Sequence, residues 1–324
     1  MKRSTTGLCG LLSVDKPAGM TSHDVVARVR RITGERRVGH AGTLDPEATG
    51  LMLVGVGAAT RLSQYMLGHD KAYRARIVFG AATDTDDLEG RVIAQSEEAA
   101  ALLADRNPDE VLRGIVGEQL QLPPAYSAIK KNGVVAYKAA RQGEMIELEP
   151  RAVTIYSAEF AGAGIVYETL SDAQGNPLSM ELPFWDVVLS VSKGTYIRAI
   201  ARDLGQQLGC GAHIGALRRI SIAGERIEDA LTLDELEARF SRGDSSLWLD
   251  PVALLGFPAL HLDANGLDDV THGRALALNW EDGEAEKASL VSCVAGERLH
   301  AVYEREGSKL VPRVVIPGGV CGVK

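Results

Sequence analysis

The chain lacks any apolar run of the about 20 residues that a membrane-crossing helix needs, so a helical span is excluded. The apolar stretch from Leu8 to Leu12 is cut by Ser13, Asp15 and Lys16, too soon for a secretory signal; a cytoplasmic protein is expected. Its four cysteines, Cys9, Cys210, Cys293 and Cys321, are scattered. They form no CxxC pair and have no histidine at ligand spacing, which argues for free thiols and against a zinc site. Phosphate-loop chemistry is missing too, because Gly50 is followed by Leu51 and Met52 instead of Lys-Ser/Thr. Gly55-Val56-Gly57 supplies only two of the three glycines of a dinucleotide fold, and neither a G-x-S-x-G elbow nor a paired-histidine metal motif occurs. The acidic run from Asp84 to Gly90 has no glutamate to close a calcium loop. No cofactor or metal is expected. Net positive charge is lacking as well: the chain carries −8, which argues against a general nucleic-acid coat.

What is present is uneven. The 324 residues suffice for two domains. Basic residues gather at Arg28–Arg37, Lys71–Arg76, Lys130–Arg141 and Lys193–Arg202, each beside a distinctive motif, while acid collects from Asp84 to Glu110 and from Glu225 to Asp250. The densest stretch is Gly39-His40-Ala41-Gly42-Thr43-Leu44-Asp45-Pro46-Glu47-Ala48-Thr49-Gly50. Its glycines permit positive φ and close approach of another molecule. Pro46 fixes its own φ and pushes Asp45 toward extended backbone. Taken alone this stretch is a polar turn, since Asp, Gly and Pro are ordinary turn residues.

Periodicity places these features on elements. Leu11 to Val14 reads as a strand entering a turn. Thr21 and Asp24 have capping-box spacing before a helix whose apolar face is Val25, Val26, Val29 and Ile32, with Gly34 as its stop and the arginines opposite. Leu51 to Val56 reads as a buried strand, Thr60 to Leu67 as a short helix, and Tyr73 to Phe79 as a strand. Helices are expected over Glu97–Ala104 and Pro108–Leu120, the second stopped by Pro123-Pro124. From 125 to 143 basic residues interleave with Tyr126 and Tyr137, a pattern suited to an exposed RNA-holding arm. Trp185 to Ser192 reads as a strand, Thr195 as a cap, and Ile197, Ile200, Ala201, Leu204 and Leu208 as the buried face of a helix ending near Gly209. A linker around 244–250 precedes a β-rich segment from Pro258 to Pro317 and a loose tail from Gly319.

In this order the segments resemble the TruB-type family of bacterial tRNA pseudouridine synthases acting on uridine 55. The resemblance rests on Asp15-Lys16-Pro17, Thr21-Ser22-His23-Asp24, the Gly39–Gly50 loop, Lys71-Ala72-Tyr73 and Thr83-Asp84-Thr85-Asp86. It continues through Pro123-Pro124-Ala125-Tyr126-Ser127-Ala128, Ser192-Lys193-Gly194-Thr195-Tyr196-Ile197-Arg198 and Leu217-Arg218-Arg219. It implies an α+β pseudouridine synthase fold with a mixed, mostly antiparallel sheet in residues 1–250. A thumb insertion falls at about 123–143. A small β-rich PUA-like RNA-binding domain occupies residues 251–324, matched weakly by His272-Gly273 and the region from Val311 to Pro317.

The resemblance also implies site residues. Asp45 corresponds to the catalytic aspartate, Tyr73 to the tyrosine that packs on the target base, and Arg198 to the basic residue paired with the aspartate. His40 corresponds to the residue that enters the RNA and holds the uridine flipped out. Tyr196 and Leu217 line the pocket, and Lys16, Lys130 and Lys193 are expected among the RNA contacts. Where the family loop often carries Thr, this chain has Ala41. The implied reaction breaks the glycosidic C–N bond and rejoins the same uracil through C5, an isomerisation needing no redox cofactor. The base must leave the stack at a cost of a few kcal/mol. The expected partner is the T stem-loop of tRNA, with a monomeric enzyme requiring no membrane and no protein partner. A tRNA-folding chaperone would use the same basic clusters without needing Asp45, and a related synthase would act on another RNA.

Overall fold

Side-chain periodicity and turn residues set the element order in the computed structural model, which describes residues 6–127, 129–131, 134–142, 144, 146–277 and 288–324. The order begins β1 (Gly10–Lys16), α1 (Ser22–Thr33), β2 (Val38–Ala41), β3 (Thr49–Val56), α2 (Ser63–Met66), β4 (Lys71–Phe79), β5 (Ala81–Thr83) and β6 (Val92–Gln95). Next come α3 (Ala99–Ala104), α4 (Pro108–Arg113), β7 (Gly117–Gln121), β8 (Lys130–Lys131), β9 (Val134–Val135), α5 (Ala136–Arg141), β10 (Arg151–Ser171) and β11 (Pro177–Val191). The remainder is α6 (Ile197–Leu208), β12 (Ala212–Ile222), β13 (Glu225–Arg226), α7 (Leu233–Ser241), α8 (Pro251–Leu255), β14 (Ala259–His261), α9 (Ala264–Thr271), β15 (Leu276–Ala277), β16 (Leu290–Ala295), β17 (Arg298–Glu306) and β18 (Lys309–Cys321).

The chain divides into two compact units, Met1–His69 with Ser221–Lys324, and Asp70–Ile220. In the first, β1 and β2 each pair antiparallel with β3, so Lys16 lies opposite Gly50 and His40 opposite Val54. Helix α1 starts at the expected capping box, with Thr21 and Asp24 exchanging bonds, and stops at Gly34 in the left-handed region (φ 65°). The C-terminal sheet runs β14-β16-β17-β18-β15, with one parallel pair, β14–β16. Within this unit the C-terminal sheet shares a core with the start of the chain. Leu11, Leu51 and Leu53 belong to one buried cluster with Val294, Leu299, Val302 and Ile316. The tail expected to be loose is therefore held: Val320 is buried, and Cys321 N donates to Cys9 O at 3.0 Å.

In the second unit β4, β11, β10 and β7 pair antiparallel in that order. Helix α6 buries the expected face and ends at Gly209 (φ 76°). Within it Gly205 is required by packing, since a Cβ there would meet Ala212 N at 2.2 Å. Two expectations are corrected here. The helix expected to reach Leu120 stops at Arg113, because 117–121 is instead β7, entered through Gly117 at φ 119° and paired with β10. Thr195 does not cap α6; its hydroxyl turns back to Ser192 O at 2.9 Å, and the N-cap residue is Tyr196, whose side chain makes no capping bond to the helix. Of the arm, β8, β9 and α5 are described; Ala128, Asn132, Gly133, Gly143 and Met145 lie outside the described residues. No helix among the described residues is long and apolar enough to cross a membrane.

Candidate active site

In the first unit Asp45 sits half-buried in the irregular loop between β2 and β3. The two glycines that flank it, Gly42 and Gly50, take φ of 93° and 107°, values that suit glycine and strain other residues. Both neighbours of Asp45 are pinned. Leu44 donates its N–H to Ser22 Oγ at 2.9 Å, and its carbonyl accepts from the same hydroxyl at 3.0 Å. The carbonyl of Pro46 accepts from Lys16 Nζ at 2.8 Å and from Gly19 N at 3.1 Å. Asp45 is thus carried between two fixed peptide groups, and the stiffness attributed to Pro46 alone is shared with Ser22 and Lys16.

Lys16 is the residue whose expected place changes most. Its side chain is fully buried, and its ammonium donates to Pro17 O (2.9 Å), Met20 O (2.5 Å) and Pro46 O (2.8 Å). Burial lowers its pKa, opposed by the charges of Glu47, Asp45 and Asp24. An ammonium so enclosed is out of a phosphate's reach; it braces the aspartate loop. His40, on β2, meets His23 edge to face at 5.8 Å between ring centroids. The arginines on the face of α1 opposite its apolar side, turned toward solvent or a polyanion in the sequence reading, are partly committed to the fold. Arg28 pairs with Glu237 and Asp234 of α7, and Arg30 donates to Val38 O.

In the second unit Tyr73 lies on β4 opposite Leu189 and is 7% exposed. Tyr196 is held at the start of α6 by Gln121, whose amide accepts from Tyr196 N (2.8 Å) and donates to Tyr196 O (3.1 Å). Leu217 is half-buried on β12, and Lys193 is exposed in the turn before α6. The Lys130 side chain lies outside the described part of the molecule. Arg198, only 6% exposed, donates to Thr85 O (2.8 Å) and Tyr126 O (2.9 Å) and pairs with Asp87 Oδ2 (3.2 Å). Asp87 is itself oriented by Thr85 Oγ1 at 2.5 Å. One turn along the helix, Arg202 pairs with Asp86 (3.3 Å) and donates to Leu122 O (2.8 Å). Asp86, Asp87, Arg202 and Gln121 were not anticipated. The signal for Asp86 was its place in the Thr83–Asp86 motif, Asp87 stood only in the acidic run from Asp84 to Gly90, and read as an acidic loop they carried no partner. No group of three His, Cys, Asp or Glu among the described residues could hold a metal ion.

The scaffold is that of the pseudouridine synthases. It matches a chain of an H/ACA ribonucleoprotein bound to a substrate RNA containing 2'-deoxyuridine with a TM-score of 0.59, at 23% identity, over 95% of this chain and 84% of that one. A chain of the archaeal box H/ACA Nop10-Cbf5 complex matches with a TM-score of 0.58 at 22% identity, over 95% of this chain and 86% of that one. Residues 30–197 match the N-terminal domain of the TruB family pseudouridylate synthases, and residues 198–254 match the tRNA pseudouridylate synthase B C-terminal domain. The chain belongs to the TruB family. Among its relatives, tRNA pseudouridine synthase B of Thermobifida fusca is 43% identical over 95% of this chain and 99% of its own. That of Syntrophotalea carbinolica is 41% identical over 82% of this chain and 80% of its own, and that of Streptococcus gordonii 36% over 94% and 99%.

Proposed function

We propose that the protein is a tRNA pseudouridine synthase that isomerises uridine 55 in the T-loop, with Asp45 as the essential carboxylate. The observation that carries this is membership of the TruB family with near full-length similarity to synthases of that name. The pinning of both neighbours of Asp45 supports it, because a carboxylate that must meet a reacting sugar or base gains rate from fixed orientation. In this reading the target uridine is flipped out, His40 enters the RNA in its place, and Tyr73 packs on the base and assists loss of the C5 proton. Arg198 is the basic residue that keeps the reaction's carboxylate ionised. Tyr196 and Leu217 line the pocket, while Lys193 and Lys130 meet phosphates. The C-terminal β-rich segment adds a PUA-like RNA contact. The C1'–N1 bond is exchanged for a C1'–C5 bond, and the proton lost from C5 is matched by one gained at N1, so the nucleotide's composition is unchanged and no co-substrate is consumed. The enzyme acts in the cytoplasm as a monomer with tRNA as its partner.

The test is Asp45→Asn assayed for pseudouridine on a T stem-loop transcript. Activity should be abolished while RNA binding persists. Surviving activity would assign the chemistry to another group, and a wild type that binds the RNA without forming pseudouridine would leave the chaperone.

A further inference from the structure

Helix α6 carries two arginines one turn apart, and each ties together the same two segments. Arg198 bonds Thr85 O and Asp87 in the 83–90 loop and Tyr126 O in the segment leading into the arm. Arg202 repeats the pattern with Asp86 in that loop and Leu122 O in that segment. Asp86 is a non-glycine residue at φ 60°, a conformation that Asp and Asn enter more readily than other side chains. Its backbone is fixed on both sides, donating to Thr83 O at 3.3 Å and accepting from Ile214 N at 3.0 Å. The peptide units before and after it carry Thr85 O and Asp87, the acceptors that hold Arg198.

We infer that Asp86 and Arg202 form a positioning pair that sets the orientation of Arg198, without either touching the RNA. The inference rests on the reading that Arg198 serves pseudouridylation. The pair works only while Asp86 is ionised. Burial, the dominant influence, pushes the Asp86 carboxyl up to about 6, opposed by Arg202 and Arg198 and reinforced by Asp203 and Asp87. Among the described residues, the charged groups acting on it are these four, three from α6 and one from its own loop. Above neutrality the pair is intact. As pH falls through about 6, Asp86 takes up a proton and Arg202 is left with Asp203 of its own helix, 2.8 Å away, so the charged tie between α6 and the loop that holds Arg198 is lost.

The test is kcat and KM for pseudouridine formation on a T stem-loop RNA from about pH 5 to about pH 8.5. Wild type, Asp86→Asn, Arg202→Gln, Arg202→Lys and the double variant Asp86→Asn/Arg202→Gln are compared. Asn suits the left-handed backbone, so Asp86→Asn removes the charge without new strain. At pH 8 it should lower kcat by roughly tenfold or more, with KM held within about threefold. It should also lose that part of the acid limb near pH 6 which wild type shows. Arg202→Gln should match it, the double variant should be no worse than either single one, and Arg202→Lys should restore most of the rate. The inference is overturned if Asp86→Asn keeps the wild-type rate and acid limb, or if the double variant falls by the product of the singles. Should Asp86→Asn fail to fold by circular dichroism, Arg202→Lys against Arg202→Gln decides, and equal rates overturn the inference. A wild type that makes no pseudouridine would sink the functional reading itself; an active wild type with indifferent variants sinks only the positioning pair.

Discussion

Replacing Lys16 by Met tests how the aspartate loop is held. The Met side chain fills nearly the same volume as the lysine stem, so the loss is confined to the ammonium and its three bonds, to Pro17 O, Met20 O and Pro46 O. Pro46 O keeps its bond from Gly19 N, whereas the other two carbonyls lose the lysine donor. Two carbonyls deprived of a donor cost about 1–3 kcal/mol each. The desolvation that Lys16 no longer suffers, visible in its lowered pKa, returns part of this. The expected net loss is about 3 kcal/mol, which corresponds to roughly 6–12 °C in Tm for a unit of this size. Because Pro46 follows Asp45 directly, kcat should fall as well, by on the order of tenfold. The salt dependence of tRNA affinity should not change, since a lost phosphate contact would reduce its slope by about one and Lys16 makes none. Thermal unfolding, single-turnover assays and a salt titration decide. Unchanged Tm and kcat with a shallower salt slope would refute the brace and restore Lys16 as an RNA contact.

Two smaller predictions follow from paired charges. Arg28→Ala breaks a largely exposed ion pair with α7 and should cost under about 1 kcal/mol, leaving tRNA affinity within about twofold of wild type. A large drop in affinity would return Arg28 to the RNA surface. For Asp86 the folded pKa of about 6 lies above the ordinary 3.8, so folding takes up a proton between those values. Its contribution to stability is therefore fully present below about pH 4 and is lost as pH rises through about 6, by at most about 3 kcal/mol. The stability of wild type relative to Asp86→Asn should fall between pH 4 and 7.5 in thermal unfolding, and a constant difference would contradict the shift.

Local rules carried the legible part of this fold. The capping box at Thr21–Asp24, the glycine stops at Gly34 and Gly209 and the apolar face of α6 depend on neighbours in sequence, and all appear where expected. Failures came where a distant partner decides. Gly117–Gln121 is a strand because β10, some thirty residues on, pairs with it (Gly117 with Ile155), a fact no local propensity encodes. Much of β10 was invisible because Ala-Gly-Ala-Gly is a poor strand signal, overridden here by fifteen registered pairs with β11. Asp86 and Asp87 looked like a solvated acidic loop, since their arginines lie over 110 residues away. Lys16 looked like a phosphate contact because its acceptors are main-chain carbonyls, which have no signature in residue type. Asp45 was singled out by its glycines, its proline and the family resemblance together, whereas Ser22 and Lys16, which pin its neighbours, were not seen in that role.

The most direct measurement of the central claim is a map of pseudouridines in tRNA from a strain lacking this gene, set beside the same strain carrying the wild-type gene or Asp45→Asn. Loss confined to position 55, restored by the wild-type gene and not by Asp45→Asn, is the expected result. Position 55 still modified in the deletion strain, or loss only at other sites, would contradict it.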